Sequence, residues 1–196
     1  MLLRAGLTPG MQLVDVAVGT GLLADAAVRV AGDPGAVVGV DPSGQMLREA
    51  RRKLSISLVQ GRAEHLPLAA GCADFLTMGY ALRHVEHLST VFVEFARILR
   101  PGGTLLILEF VTPRGRASRA LTWFYLGVVI PALCRRLAPS GQTDALMRYC
   151  WDTVEASATP DAIQAELAAS GFTRITTMQN LGFLIAYQAQ KSATGD

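Results

Sequence analysis

The chain has 196 residues, 51% of them hydrophobic and 17% charged, which excludes a disordered segment and suits one domain with a sizeable core. Eighteen Lys and Arg against sixteen Asp and Glu leave a formal charge of +2, too little to mark the whole surface for nucleic acid. Cys72, Cys134 and Cys150 are odd in number and lack ligand spacing, which excludes a disulfide framework and a zinc site and fits a reducing cytoplasm. No charged-then-apolar signal segment opens the sequence. The longest apolar run, Leu121 to Cys134, is fourteen residues with Pro131 inside it, too short to span a bilayer.

In chain order, Met11–Ala17 reads as a strand, Thr20–Ala31 as a helix and Ala36–Asp41 as a second strand. Ser43–Leu54 reads as a helix with Met46, Leu47, Ala50 and Leu54 on one face. Ile56–Gln60 and Asp74–Gly79 follow as the third and fourth strands. Leu88–Arg100 is an amphipathic helix that Pro101-Gly102-Gly103 stops, and Thr104–Phe110 is a fifth buried strand. This alternation implies a parallel sheet with helices on both faces. The second half departs from that rhythm. Arg116–Leu137 is a long apolar helical stretch, and Asp144–Glu155 a further helix. Thr159-Pro160 then caps a helix ending near Gly171, and two closing strands cover Phe172–Gln179 and Gly182–Gln190.

The chemistry concentrates at the first strand-to-helix turn. Gly19-Thr20-Gly21 lets a backbone come close to a ligand, because no Cβ intervenes. Asp41, twenty residues after Gly21, ends the neighbouring strand, where a carboxylate can grip the two hydroxyls of a ribose. The competing reading of Asp41 is a helix N-cap ahead of Pro42. Asp15 lies four residues before the turn, where it can pair with a cationic amine or hold the turn through backbone N–H groups. It would repel a pyrophosphate, so the nucleoside is not expected to be NAD.

These residues, with Ala63-Glu64-His65-Leu66-Pro67, Leu82-Arg83-His84-Val85, Leu99-Arg100-Pro101-Gly102-Gly103 and Leu108-Glu109-Phe110-Val111-Thr112-Pro113, resemble class I S-adenosylmethionine-dependent methyltransferases. Within that class the sequence is most similar to the ubiquinone/menaquinone-biosynthesis C-methyltransferase group, and the resemblance covers roughly residues 10 to 190. It implies an α/β, Rossmann-like sandwich with a mostly parallel seven-stranded sheet and an antiparallel last strand. It implies S-adenosyl-L-methionine as cofactor, with Asp15, Gly19, Thr20 and Gly21 at its methionine end and Asp41 on its ribose. Met46, Arg62 and Ala63 would meet the adenine, and Gly79 would begin the path from the methyl group to the acceptor. Arg83 and Tyr149 are the expected catalytic residues on the acceptor side. Arg83 would stabilise a phenolate, or orient a water, so that a ring carbon becomes nucleophilic. The acceptor would be small or lipophilic, and no metal is needed.

Two departures from the group stand out. Arg62 replaces an Asp or Asn whose side chain accepts from the adenine amino group; an arginine has donors only. Fourteen residues precede Asp15, where the group carries a helical segment over the site. The expectation is a single domain, 1–196, with a short or missing cover. His84 and His87 have no further ligands for a metal, but either imidazole could act as a general base. The apolar stretch Trp123–Leu133 is a buried helix or a lipophilic, membrane-facing surface beside six arginines between Arg114 and Arg148. Cytoplasmic location with peripheral membrane contact follows as an expectation, and oligomeric state is left open. The alternatives are a non-catalytic cofactor-binding protein of the same fold and a nicotinamide-dependent oxidoreductase.

Overall fold

Successive residues of a strand face opposite sides of its sheet, and β1 (Leu13–Val16) feeds a different core on each side. Leu13 packs with Val37, Phe75, Leu106 and the small residues Ala24, Ala27 and Ala31 of α1 (Leu22–Ala31). Val14 and Val16 face the other way, towards Leu76, Met78 and Leu105 and the apolar side of a helix over Leu88–Ile98. A computed structural model describes residues 1–111, 158–180 and 184–193. In it the elements continue as β2 (Val37–Asp41), α2 (Gly44–Arg51), β3 (Ser57–Gln60), β4 (Ala73–Gly79), α3 (Leu88–Ile98), β5 (Leu99–Phe110), α4 (Pro160–Ala169), β6 (Phe172–Asn180) and β7 (Leu184–Lys191). The helices expected over Arg116–Leu137 and Asp144–Glu155 lie outside the described residues.

The seven strands form one sheet in the order β3-β2-β1-β4-β5-β7-β6. β1 to β5 pair in parallel, and β7 runs antiparallel to both β5 and β6. The expected mostly parallel sheet with an antiparallel last strand is therefore the observed one. From β1 the chain builds outwards to β3 and then returns to place β4 on β1's other side. Such a reversal opens a crevice at the carboxyl ends of the strands, where open α/β sheets bind ligands.

One boundary differs. β5 begins at Leu99, not at Thr104, and Pro101-Gly102-Gly103 lies within the strand. The register shifts between Ala73↔Leu99 and Phe75↔Thr104, so the Pro-Gly-Gly segment is a bulge and not only a helix stop. Gly102 has φ +76°, and a Cβ on Gly103 would come within 2.9 Å of the Arg100 carbonyl. Asp74 secures the bulge through an ion pair with Arg100 at 2.6 Å.

A buried acid in α3 fixes the loop between β3 and β4. Glu94 accepts from the Leu66 N–H at 2.6 Å and from both Nε and Nη2 of Arg97 at 2.7 and 2.8 Å. Arg97 in turn donates to the carbonyls of Leu66 and Leu68, each at 3.0 Å. The Arg97 hydrogen bonds hold the Glu94 carboxyl below its ordinary value of 4.5, against the effect of burial. Glu94→Ala would strand the Leu66 N–H and the guanidinium, lowering unfolding free energy by about 2–3 kcal/mol at pH 7. An acid whose pKa is depressed by folding stabilises above its unfolded pKa and stops doing so as pH falls through the folded one. Urea denaturation should accordingly show the gap between wild type and Glu94→Ala closing below pH 4.5.

Candidate functional site

The carboxyl ends of β1, β2 and β4 enclose a crevice of about 500 Å³. Its wall runs from Ala17 and Gly19 through Asp41, Pro42 and Met46 to Gly61–Glu64, and returns by Gly79, Tyr80, Ala81, His84 and Val85. Ala17 (φ 56°) and Tyr80 (φ 58°) both hold left-handed backbone here. For a residue with a Cβ that conformation costs roughly 1–2 kcal/mol, and strain of this kind collects at functional sites.

Asp41 closes the crevice floor. Its Oδ2 accepts from the Gly19 N–H and its Oδ1 from the Ser43 N–H, both at 2.8 Å. Each oxygen keeps a second lone pair for a ligand. The N-cap of α2 is Ser43, whose hydroxyl accepts from the Met46 N–H at 3.3 Å, so Asp41 is not the cap. At the start of α1 the N-cap is Gly21 (φ 89°), with no side-chain cap. The first N–H groups of that helix are thus left for other acceptors.

Asp15 sits behind this turn and not on the crevice wall. It is 1% exposed, and its Oδ1 accepts from the Thr77 hydroxyl at 2.6 Å while Oδ2 makes no hydrogen bond. Burial raises its pKa to about 7, opposed by the Thr77 hydrogen bond and the Ala24 backbone and reinforced by Asp41. A buried carboxylate oxygen without a donor is costly to ionise, in keeping with the raised pKa.

On the β3 side, Met46 is 40% exposed and lines the crevice, which places it outside the core. Arg62 and Ala63 follow on the loop that α3 clamps. The Arg62 side chain is 75% exposed and pairs loosely with Glu64 at 3.4 Å.

On the β4 side, a short 3-10 turn (Leu82–His84) is bolted to β5. The Arg83 guanidinium donates to Glu109 Oε1 at 2.8 Å and to the Tyr80 carbonyl at 2.6 Å. Glu109 also accepts from the Arg83 and Phe110 N–H groups. The two side chains are 8% and 3% exposed. Tyr80 stacks on Phe110 with ring centroids 4.7 Å apart, and the Arg83 guanidinium lies 5.7 Å from the Phe110 ring centre. Arg83 and Glu109 face a second, smaller cavity of about 160 Å³ whose lining includes Phe110, Ile163 and Tyr187. Val85 borders both spaces.

Of the residues singled out in the sequence, Gly19, Asp41, Met46, Arg62, Ala63 and Gly79 come together on one crevice. Thr20 and Gly21 belong to its turn but not to its wall, and Tyr149 lies outside the described residues. A Cβ on Gly21 would come 2.4 Å from Leu54, so this glycine serves packing as well as conformation. Sequence reasoning gave Glu109 no role. Its signal was present: an acid inside the apolar run Thr104–Phe110 requires a buried partner. Among the described residues no group of three or more His, Cys, Asp or Glu could hold a metal, and no helix is long and apolar enough to cross a membrane.

Known proteins share both the sequence pattern and the fold. The family described as the ubiE/COQ5 methyltransferase family matches residues 2–190. A ubiquinone/menaquinone biosynthesis C-methyltransferase of Shewanella pealeana is 29% identical over 178 residues, 87% of this chain and 70% of the relative. The counterpart from Pseudomonas aeruginosa (strain LESB58) is 29% identical over 189 residues, covering 93% of this chain and 73% of its own. The fold matches a SAM-dependent methyltransferase from Aquifex aeolicus with a TM-score of 0.70 at 17% identity, over 96% of this chain and 86% of that one. A Haemonchus contortus N-methyltransferase, solved with phosphomonomethylethanolamine and S-adenosylhomocysteine, matches with a TM-score of 0.69 at 16% identity. That match covers 97% of this chain and 51% of the other. The chain is a methyltransferase and belongs to the ubiE/COQ5 family.

Proposed function

We propose that this methyltransferase transfers a methyl group from S-adenosylmethionine to a ring carbon of a hydroquinone. The observation that carries this reading is the family match over residues 2–190, joined to a crevice with a carboxylate at the tip of β2. S-adenosylmethionine is the cofactor, and it supplies an electrophilic methyl carbon on a good leaving group. The residues fit it: Asp41 has two free lone pairs for the ribose hydroxyls, and Asp15 behind the glycine turn adds negative charge near the place a ligand's ammonium would take. Met46 and Ala63 line the crevice where they would flank the adenine, with the exposed Arg62 beside them. The chain's contribution to rate is chiefly positioning and the exclusion of water. The acceptor enters by the β4 side, along Gly79 to Val85, where Tyr80, Ala81 and Val85 form the wall. A lipophilic acceptor suits peripheral contact with a membrane surface.

The direct test is incubation with methyl-labelled cofactor and a prenylated hydroquinone with an unsubstituted ring carbon, kept reduced, followed by mass spectrometry of the product. Label on a ring carbon is expected; label on oxygen, or none, overturns the acceptor class.

Asp41→Ala should weaken S-adenosylhomocysteine binding at least about tenfold by calorimetry, the loss expected for a charge-assisted contact of roughly 1.5–3 kcal/mol. Because burial raises the Asp15 pKa to about 7 and a ligand's ammonium in front of the turn would favour its ionised form, affinity should rise with pH. The expected gain between pH 6 and 8 is about threefold to tenfold, with protons released on binding. Asp15→Asn should abolish that dependence. Arg62→Asp restores an acceptor beside the adenine and should tighten binding severalfold, about 1 kcal/mol for one hydrogen bond, with the melting temperature little changed.

A further inference from the structure

Methylation at carbon differs from simple methyl transfer in its protons. A neutral hydroquinone carbon is a poor nucleophile, and the hydroxyl must give up its proton for the ring to attack. Some group at the acceptor end of the crevice has to take it. Among the described residues the crevice wall carries five titratable side chains: Asp41, Arg62, Glu64, Tyr80 and His84.

Four of these fail on geometry or charge. Asp41 is engaged by two backbone N–H groups at the β2 tip and faces the ribose position. Arg62 has no acceptor atom. Glu64 pairs with Arg62 on the loop after β3, at the adenine end. Tyr80 is on the right side, but burial and the Glu109 carboxylate raise its pKa, so it holds its own proton. Arg83 lies just beyond the wall and is also unsuited: it is a cation, its side chain is 8% exposed, and Glu109 and the Tyr80 carbonyl hold it.

We infer that His84 is the base that takes the acceptor's hydroxyl proton, and that Arg83 and Glu109 are positioning residues that hold the His84 turn against the crevice. The assignment rests on the hydroquinone reading above. His84 closes the 3-10 turn whose preceding residue is anchored by the Arg83–Glu109 pair, and its N–H donates to the Ala81 carbonyl at 3.0 Å. His84 borders the crevice beside Gly79, Tyr80 and Val85 and is exposed enough to exchange protons with solvent. Among the described residues, Arg83 and Glu109 are charges that act on it. Burial and the Arg83 cation lower its pKa below 6.5, with Glu109 partly opposing, so the imidazole is neutral and able to accept at pH 7.

In the reaction the hydroxyl O–H bond breaks and its proton passes to the imidazole nitrogen. The oxygen electron pair delocalises to the ring carbon, which forms the new C–C bond to the methyl group, while the pair of the C–S bond stays on sulfur. The ring carbon then loses its hydrogen to water, and the imidazolium returns its proton to the oxygen. The aromatic ring is restored with one proton released overall.

The test compares wild type with His84→Asn and His84→Gln, using methyl-labelled cofactor and the reduced prenylated hydroquinone, with NMR titration of the histidine ring. In wild type, kcat should fall as pH drops through a pKa below 6.5, matching the pKa read for His84 by NMR. Both variants should lose roughly a hundredfold in kcat, lose that acid limb, and bind S-adenosylhomocysteine as wild type does. A merely structural His84 would leave the limb in place. Retention of at least half the wild-type kcat in His84→Asn, or persistence of the acid limb in both variants, overturns the assignment while leaving the acceptor class standing. Absence of label from wild type overturns the acceptor class and this assignment together.

Discussion

Two backbone N–H groups from different elements, Gly19 and Ser43, converge on the carboxylate of Asp41. That convergence ties the glycine turn after β1 to the end of β2 and the start of α2, and the crevice takes its shape from it. The geometry is reinforced by the Val18 N–H, which donates to the Val40 carbonyl at 3.0 Å. A sheet reversal alone opens a gap between β1 and β4. It takes the shared acid to hold the turn at a fixed height over that gap, with lone pairs still directed at a ligand.

Opposite this rigid floor, the β4 tip is built from strain and buried charge. Tyr80 is held in a left-handed conformation by its N–H bond to the Leu108 carbonyl at 2.7 Å and by its stack on Phe110. The Arg83–Glu109 pair then fastens the following turn. An ion pair this deep adds little net stability, since desolvation offsets most of its attraction. What it supplies here is orientation, because removing either partner would leave a charge with nowhere to go.

The fold was legible in the sequence wherever periodicity carried it. β1, β2 and α1 each shift by no more than about two residues, because alternating apolar residues and glycine punctuation mark them directly. The start of β5 was not legible: a bulge satisfies its backbone through distant partners, and Pro-Gly-Gly looks the same in a turn. The crevice residues Asp41 and Gly79 were legible because each ends a strand, and Gly19 because it belongs to the glycine turn after β1. Asp15 was recognised, but not its burial, since its retreat behind the turn depends on Thr77, sixty-two residues away. The anchoring of Arg83 by Glu109 was likewise invisible, being a pairing between strand ends that only the sheet order brings together.

The clamp of α3 on the loop after β3 has a consequence for how this site can change over time. Glu94 and Arg97 grip that loop by main-chain atoms alone: the N–H of Leu66 and the carbonyls of Leu66 and Leu68. Besides these main-chain bonds, the Leu66 side chain is buried against Phe92, Phe95 and Ile98, whereas Arg62 at the loop's start is exposed. The loop's path therefore rests on main-chain bonds and on Leu66, and substitutions at its exposed positions can alter the crevice surface without disturbing where its wall stands. Arg62, whose side chain is 75% exposed, is such a position. The β3 side of the crevice can change its surface in this way, while the β4 side, held by the Arg83–Glu109 charges, is bound to its residues.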